Sequence, residues 1–338
     1  MSDASIKDTV TPFWTHTKQS ISIEAKDDLL HVPTGDPTWI ETNFFSFTIP
    51  EHQIHGLVFA GFRTNLKLVG SLVAVWQGDK AHPLESEHYD LRSYVPFPDG
   101  NLDDYQLANG LSVKIIAPMQ GFQIDYVDAT RGTEIHFQFQ GIMPPVSYPG
   151  GAHFDQAGKV DGRLVLRGKE YVIDCFAPRD HSWGPRPETA AVMPPVTWLH
   201  GIFGHDFAFH LMAIDDASSK PFWADTYRVP EGKNVVGGYI FKDNVVTQVV
   251  AARKRTERHK DSLRPRGYVL ELTDESGATF AVRGEVTALL PIFVSGNTMV
   301  MEAQTRWTYG DRTGWGESQD VFFNDFVSRF TPRGDLQS

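Results

Sequence analysis

The chain has 338 residues, of which 41% are hydrophobic and 22% are charged, which is the composition of an ordinary globular protein. Its formal net charge is −11 at pH 7, and such an acidic balance argues against a nucleic-acid partner. Cys175 is the only cysteine, which excludes an intrachain disulfide and a cysteine-based zinc cluster.

The first residues lack the apolar stretch of a secretory signal, and no apolar run approaches the ~20 residues that a membrane helix needs. We therefore expect a cytoplasmic protein without an integral membrane segment. A single core rarely grows beyond ~250–300 residues, so the length favours two domains. A proline-rich stretch suggests the boundary, with an N-terminal β domain over residues 1–190 and a C-terminal β domain over residues 191–338.

Short apolar or alternating runs, bounded by turn residues, follow one another along the first half of the chain and are typical of strands. We predict strands over 40–49, 57–65, 68–76, 89–94, 111–117, 121–127, 133–141 and 169–176. The run 133–141 alternates most regularly, with Ile135, Phe137 and Phe139 on one face.

The second half continues in the same way. We predict strands over 198–203, 207–214, 221–228, 238–242, 245–253, 267–273, 279–286 and 298–308. A short closing helix is predicted over 324–330. Few stretches have the 3.6-residue period of a helix, so the predicted fold is nearly all-β with few short helices.

One stretch near the middle of the chain concentrates reactive and aromatic side chains. It consists of Arg179, Asp180, His181, Ser182, Trp183, Gly184, Pro185 and Arg186. We predict that it forms a turn held by Gly184 and Pro185, and loops on a rigid scaffold often carry function. The alternative is a structural corner in which Asp180 pairs with Arg186 and Trp183 fills the space between two layers.

An ordered series of short motifs surrounds this stretch. The series consists of His153-Phe154-Asp155-Gln156, Val160-Asp161-Gly162, Gly168-Lys169-Glu170-Tyr171 and residues 179–186. It resembles the AttH-like, two-domain lipocalin-type superfamily, which includes the carotenoid hydratases (hydroxyneurosporene synthases), with tocopherol cyclases and fungal Diels–Alderases as more distant relatives. The resemblance is specific over residues 150–190 and loose elsewhere.

This resemblance implies two lipocalin-like β-barrel or sandwich domains side by side, with an apolar ligand cavity near their junction and no metal or redox cofactor. It also implies functional roles for His181 and Trp183. The carotenoid hydratases use a further Tyr-x-Asp pair on a nearby strand, but here the corresponding hairpin has Phe207 and Phe209. That difference argues against carotenoid hydration itself.

The motif suggests acid–base chemistry. Asp180 beside His181 could deliver and remove protons, which typically contributes ~10²–10⁴ in rate. The indole of Trp183 could stabilise a developing carbocation, worth ~2 kcal/mol or more when desolvated. Arg186 could hold the Asp180 carboxylate or bind a substrate oxygen.

Further polar residues are predicted to contact the substrate. They are His153, Gln156, His205, His210 and Glu317. Glu317 has a structural alternative, which is to pair with Arg312. His200, His205 and His210 raise the question of a metal, but strand alternation places His200 and His205 on opposite faces, so we predict none.

The predicted function is that of a cofactor-independent acid–base lyase or isomerase, which means a hydratase, dehydratase or cyclase. Its substrate would be a hydrophobic small molecule such as a terpenoid, steroid, polyketide or lignin-like aromatic. The alternative is a non-catalytic carrier of such a molecule, since barrels of this size often hold one ligand. The oligomeric state and the direction of the reaction stay open.

Overall fold

The computed structural model describes residues 22–186, 193–224, 226–230, 232–260 and 262–331. Of the described residues, 63% lie in strands and 9% in helices, and the strands form two separate sheets in two compact units. The predictions of a nearly all-β fold and of two β domains are therefore confirmed. No helix within the described residues is long and apolar enough to cross a bilayer.

The first unit lies within Gln19–Pro187 and contains one strongly curled sheet of eleven strands. Its strands are β1 (Trp39–Ile49), β2 (Ile54–Arg63), β3 (Leu68–Gln77), β4 (His88–Pro96), β5 (Asp104–Gln106), β6 (Leu111–Ala117), β7 (Gly121–Asp128), β8 (Thr133–Gly141), β9 (Val146–Ser147), β10 (His153–Leu166) and β11 (Lys169–Pro185). They run in the order β4-β3-β2-β1-β11-β10-β8-β7-β6-β5, and β9 pairs with β10. Short 3₁₀ turns span Ala25–Asp28, Pro50–His52, Thr64–Leu66 and Pro83–Glu85.

One face of this sheet, here called the inner face, carries the apolar core of the unit. Almost every strand contributes to it, including Phe45 and Phe47 of β1, Val160 of β10 and Cys175 of β11. The opposite, outer face of β1 and β11 carries the residues between these positions, because side chains alternate along a strand. This alternation decides which residues of the stretch 179–186, here called the central motif, can lie close together.

The second unit lies within Glu188–Ser338 and contains a closed eight-stranded barrel. Its strands are β12 (Val196–Ile202), β13 (Phe207–Ile214), β14 (Val235–Lys242), β15 (Val245–Arg258), β16 (Pro265–Asp274), β17 (Thr279–Ser295), β18 (Thr298–Tyr309) and β19 (Arg312–Phe323). Neighbours in sequence are neighbours in the barrel, and β19 closes it by pairing with β12. Short 3₁₀ turns at Ala217–Ser219 and Pro221–Trp223 precede β14, and the helix α1 (Asn324–Phe330) follows β19.

The barrel interior is packed with aromatic and aliphatic side chains, among them Phe209, Leu270 and Trp307. A second apolar cluster joins Trp223 and Phe326 of α1. The interior side chains form a buried apolar core in the barrel.

Two predictions of local structure were wrong. The run 221–228 is not a strand, because it starts with the 3₁₀ turn Pro221–Trp223. Trp223 is buried in the second apolar cluster. The motif at 179–186 is not a turn either, because β11 continues to Pro185. The predicted boundary at residue 190 falls within 187–192, which lie outside the described residues.

Candidate functional site

The central motif lies in a three-stranded part of the curled sheet. Residues 179–185 of β11 pair with β1, and residues 179–182 pair with β10 on the other side. Backbone pairing on both sides holds these residues extended, so the side chains alternate. Arg179, His181 and Trp183 therefore lie on the inner face, whereas Asp180 lies on the outer face. The structure does not bring Asp180 together with His181 and Trp183 into one cluster.

On the inner face, His181 is fully buried and both of its ring nitrogens have partners. Nδ1 lies 2.7 Å from Oδ1 of Asn43, and Nε2 lies 2.9 Å from Oε1 of Glu41. Asn43 and Glu41 are neighbours on the inner face of β1. This network fixes the orientation of the imidazole ring.

Glu41 is the centre of this network. Its carboxylate also accepts hydrogen bonds from the backbone N–H of His31 at 2.9 Å and from Nδ1 of His31 at 2.8 Å. Burial alone would raise the pKa of Glu41, but the hydrogen bonds from His181 and His31 outweigh the effect of burial. The pKa of Glu41 therefore lies below its usual value. Glu41 is therefore an ionised carboxylate that two imidazoles share.

Aromatic rings enclose these two histidines. Trp183 stacks on His31 with 3.7 Å between ring centroids, and Phe154 lies parallel to His181 at 5.4 Å. Trp183 is only partly buried. It thus covers a histidine that the sequence analysis did not single out.

Gln156 and Arg179 belong to a second inner-face network. The side-chain N–H groups of Gln156 donate to the carbonyl oxygens of Met119 and Met143, and its Oε1 accepts from Arg179. The Arg179 guanidinium pairs with Asp28 at 2.9 Å, and both side chains are 1% exposed. This arrangement favours a structural role for Gln156 over the predicted substrate contact.

The outer face holds a different acid–base group. Nε2 of His153 lies 3.7 Å from Oδ2 of Asp155 and 3.9 Å from Oδ1 of Asp180. Asp155 is fully buried, while 25% of the His153 side chain and 16% of the Asp180 side chain are exposed. Tyr148 stacks on His153 with 4.2 Å between centroids. We call His153, Asp155 and Asp180 the outer cluster.

Arg186 follows β11 and is exposed. Its guanidinium donates to the Ser182 hydroxyl, and its backbone N–H donates to the carbonyl oxygen of Thr38 at 3.1 Å. Ser182 in turn lies 2.6 Å from the hydroxyl of Thr42. Arg186 therefore secures the end of the strand.

In the barrel, His200 and His210 face each other across β12 and β13 and stack at 4.2 Å. Burial lowers the pKa of His200 to about 3, and the charge of Glu317 opposes this shift only in part. His210 is also buried, and its Nδ1 donates to the carbonyl oxygen of Leu199 at 3.1 Å. The barrel thus carries a pair of buried histidines, of which His200 is kept neutral.

The other two predicted substrate contacts in the barrel, His205 and Glu317, differ in exposure. His205 is exposed in the turn between β12 and β13. Glu317 is fully buried in β19, where its carboxylate accepts from the Gln319 amide at 3.2 Å. Arg312 pairs with Asp206 at 2.7 Å rather than with Glu317.

Two groups in the first unit have the residue types of a metal site. They are His31, Glu41 and His181 on the inner face, and the outer cluster. In each group the possible ligand atoms lie within 4.8 Å of one another. The sequence analysis missed His31 and Glu41. For Glu41 a signal was present, because Glu41 and Asn43 lie on the same face of a predicted strand as Phe45 and interrupt its apolar pattern.

The family model described as "Domain of unknown function (DUF7064)" matches residues 24–320, so the chain belongs to this family. No curated protein matches the sequence. Solved structures, however, share the fold.

The structure of CghA with Sch210972 is 13% identical and has a TM-score of 0.58, over 86% of this chain and 89% of CghA. Kievitone hydratase from Nectria haematococca is 12% identical with a TM-score of 0.51, over 94% of this chain and 97% of the hydratase. An AttH-type protein from Nitrosomonas europaea is 12% identical with a TM-score of 0.59, over 93% of this chain and 98% of that protein. At these identities the likeness confirms the AttH-like fold.

Proposed function

We propose that this member of the DUF7064 family is an acid–base lyase of the hydratase or dehydratase type that acts on a hydrophobic small molecule. The outer cluster supplies the proton transfers. The observation that carries this proposal is the position of His153, whose Nε2 faces two carboxylates while its ring stays partly accessible. The shared fold of a hydratase and of a protein solved with a bound small molecule supports it.

The three side chains have different exposures that suit different tasks. Asp155 is fully buried next to the His153 ring, so its carboxylate can fix the orientation of that ring. Asp180 and His153 are the members with exposed side-chain surface. The exposed part of each side chain can reach a substrate, whereas Nε2 of His153 is buried beside the two carboxylates. Their separation of 3.9 Å is long for a hydrogen bond, but such contacts often tighten only when the substrate is bound.

The chemistry follows from these roles. In the dehydrating direction, the Asp180 carboxylate removes a proton from carbon, the carbon–oxygen bond breaks, and the His153 imidazolium donates a proton to the departing hydroxyl. One water leaves and one double bond forms. Hydration is the reverse sequence, in which His153 removes a proton from water and Asp180 protonates carbon. Neither direction changes the oxidation state of the protein.

His181 has a positioning role in this proposal, and the Trp183 ring lies beside it with 5.6 Å between ring centroids. His181 is tied to Glu41 and Asn43, and these bonds fix β11 against β1. The same strand presents Asp180 on the opposite face. A displaced ring at position 181 would thus shift the carboxylate that acts on the substrate.

The test uses kievitone, the molecule named by the hydratase of the same fold, together with a panel of oily alkenes and alcohols. The chain is incubated with each compound in isotopically labelled water, and mass spectrometry detects the gain of one labelled oxygen or the loss of water. We expect Asp180→Asn and His153→Gln each to lower turnover ~10²-fold or more.

Asp174→Asn is the matched control. Asp174 lies on the same strand and face as Asp180, but 71% of its side chain is exposed and it pairs with Lys159. This variant should keep wild-type turnover. Wild-type rates in both Asp180→Asn and His153→Gln would contradict the proposal, and tight binding without any turnover across the panel would instead support a carrier.

A further inference from the structure

We propose that His31, Glu41 and His181 form a binding site for one divalent first-row transition-metal ion, of which Zn²⁺ is the representative. This site lies on the inner face of the sheet and is separate from the outer cluster. The proposal does not depend on the proposed function.

Three potential ligand atoms converge at this point. Nδ1 of His31 and Nε2 of His181 lie 2.8 Å and 2.9 Å from the same carboxylate oxygen, Oε1 of Glu41. All three atoms lie within 4.8 Å of one another. Two imidazoles and one carboxylate are a donor set that binds zinc and other transition metals.

The hydrogen-bonding pattern of the two rings also favours a cation. The remaining nitrogens, Nδ1 of His181 and Nε2 of His31, face acceptor oxygens of Asn43 at 2.7 Å and of Asp27 at 3.4 Å. All four ring nitrogens thus face acceptors, whereas two neutral imidazoles have only two N–H groups. A divalent cation among Oε1, Nδ1 and Nε2 takes the place of the two additional protons, so the total charge of the cluster is unchanged.

The spacing of the atoms suits metal coordination with little movement. Bonds of ~2.0–2.1 Å at right angles separate neighbouring ligand atoms by about 2.8–3.0 Å. The two observed nitrogen–oxygen separations, 2.8 Å and 2.9 Å, are close to this value. A tetrahedral ion would need separations of about 3.4 Å, which a small rotation of the partly exposed His31 ring can provide.

Both histidines already have the outer partners that metal-binding histidines usually have. Such a ring normally donates its other N–H to a carboxylate or carbonyl oxygen, which fixes the ring orientation and raises ligand basicity. Asn43 does this for His181, and Asp27 does it for His31. His31 is 20% exposed, and Asp27 beside it is 12% exposed, so an ion can enter from this side.

The test uses the untagged full chain after dialysis against a chelator. Zn²⁺ is titrated by calorimetry, and Co²⁺ is titrated by visible absorption, which reports its coordination geometry. We expect one ion per chain and an increase of the thermal midpoint on Zn²⁺ addition, since a ligand that binds the folded state stabilises it. His31→Gln should weaken Zn²⁺ binding at least ~100-fold, and Asp27→Asn should weaken it ~10-fold through the ring orientation.

His52→Gln is the matched control, because His52 is an exposed histidine on a 3₁₀ turn of the same unit. It should bind Zn²⁺ as the wild type does. Far-ultraviolet circular dichroism verifies that each variant is folded. If His31→Gln does not fold, Asp27→Asn still decides the test. The proposal is overturned if the wild type binds no ion in the micromolar range, or if folded His31→Gln or Asp27→Asn binds it with unchanged affinity.

Discussion

Buried, neutral His200 makes the stability of the barrel depend on pH. Burial lowers its pKa from the usual value of 6.5 to about 3 in the folded chain. As the pH falls below the unfolded value, the unfolded state takes up a proton and the folded state does not. The unfolded state then binds more protons, so the free energy of unfolding decreases with falling pH.

The size of this effect follows from the two pKa values. Between about pH 7.5 and about pH 5, protonation of the unfolded imidazole alone removes about 2 kcal/mol of stability, and the loss continues until the pH reaches the folded value. His200→Asn removes the titrating group. We therefore expect the variant to lose about 2 kcal/mol less than the wild type over this interval, whatever its stability at neutral pH.

Urea unfolding at the two pH values is followed by tryptophan fluorescence and circular dichroism. It gives the loss of stability between these pH values for the wild type and for His200→Asn, and the two losses are compared. The transition of the barrel is the one that the substitution shifts. Equal losses of stability in the wild type and in His200→Asn would show that His200 is not held neutral by burial, and would refute the reasoning.

Two further predictions concern packing and buried charge. A Cβ at Gly316 would overlap the backbone oxygen of His200, so Gly316→Ala should lower the free energy of chemical unfolding by about 3 kcal/mol or more. The control is Gly296→Ala, whose Cβ meets nothing within 4 Å and which should change this free energy by less than about 0.5 kcal/mol. Arg179→Met leaves the Asp28 carboxylate buried without its guanidinium and should cost about 3–5 kcal/mol; a thermal midpoint equal to the wild type would contradict this.

The strands that could be predicted from the sequence are those with a plain period. The bounds of β6, β8 and α1 agree with the predicted runs 111–117, 133–141 and 324–330. In β6 and β8, alternating apolar residues face the core, so the two-residue period identifies each strand. The run 221–228 failed because Trp223 is buried by packing on α1 and not by strand pairing.

The site was harder to predict because its partners are distant in sequence. Glu41 and His181 are 140 positions apart and meet only through the pairing of β1 with β11. The density of polar residues at 179–186 suggested a loop, yet pairing with two neighbours keeps the stretch extended. Once it is read as a strand, its two-residue period alone separates Asp180 from His181.

The central claim is that Asp180 moves a proton to or from a carbon atom of an oily substrate. Nuclear magnetic resonance in deuterated water, on a compound of the panel that the chain turns over, measures this step directly as exchange of a carbon-bound proton. We predict exchange with the wild type and with Asp174→Asn, and at least ~10²-fold slower exchange with Asp180→Asn at unchanged ligand affinity. Exchange at the wild-type rate in Asp180→Asn would contradict the account.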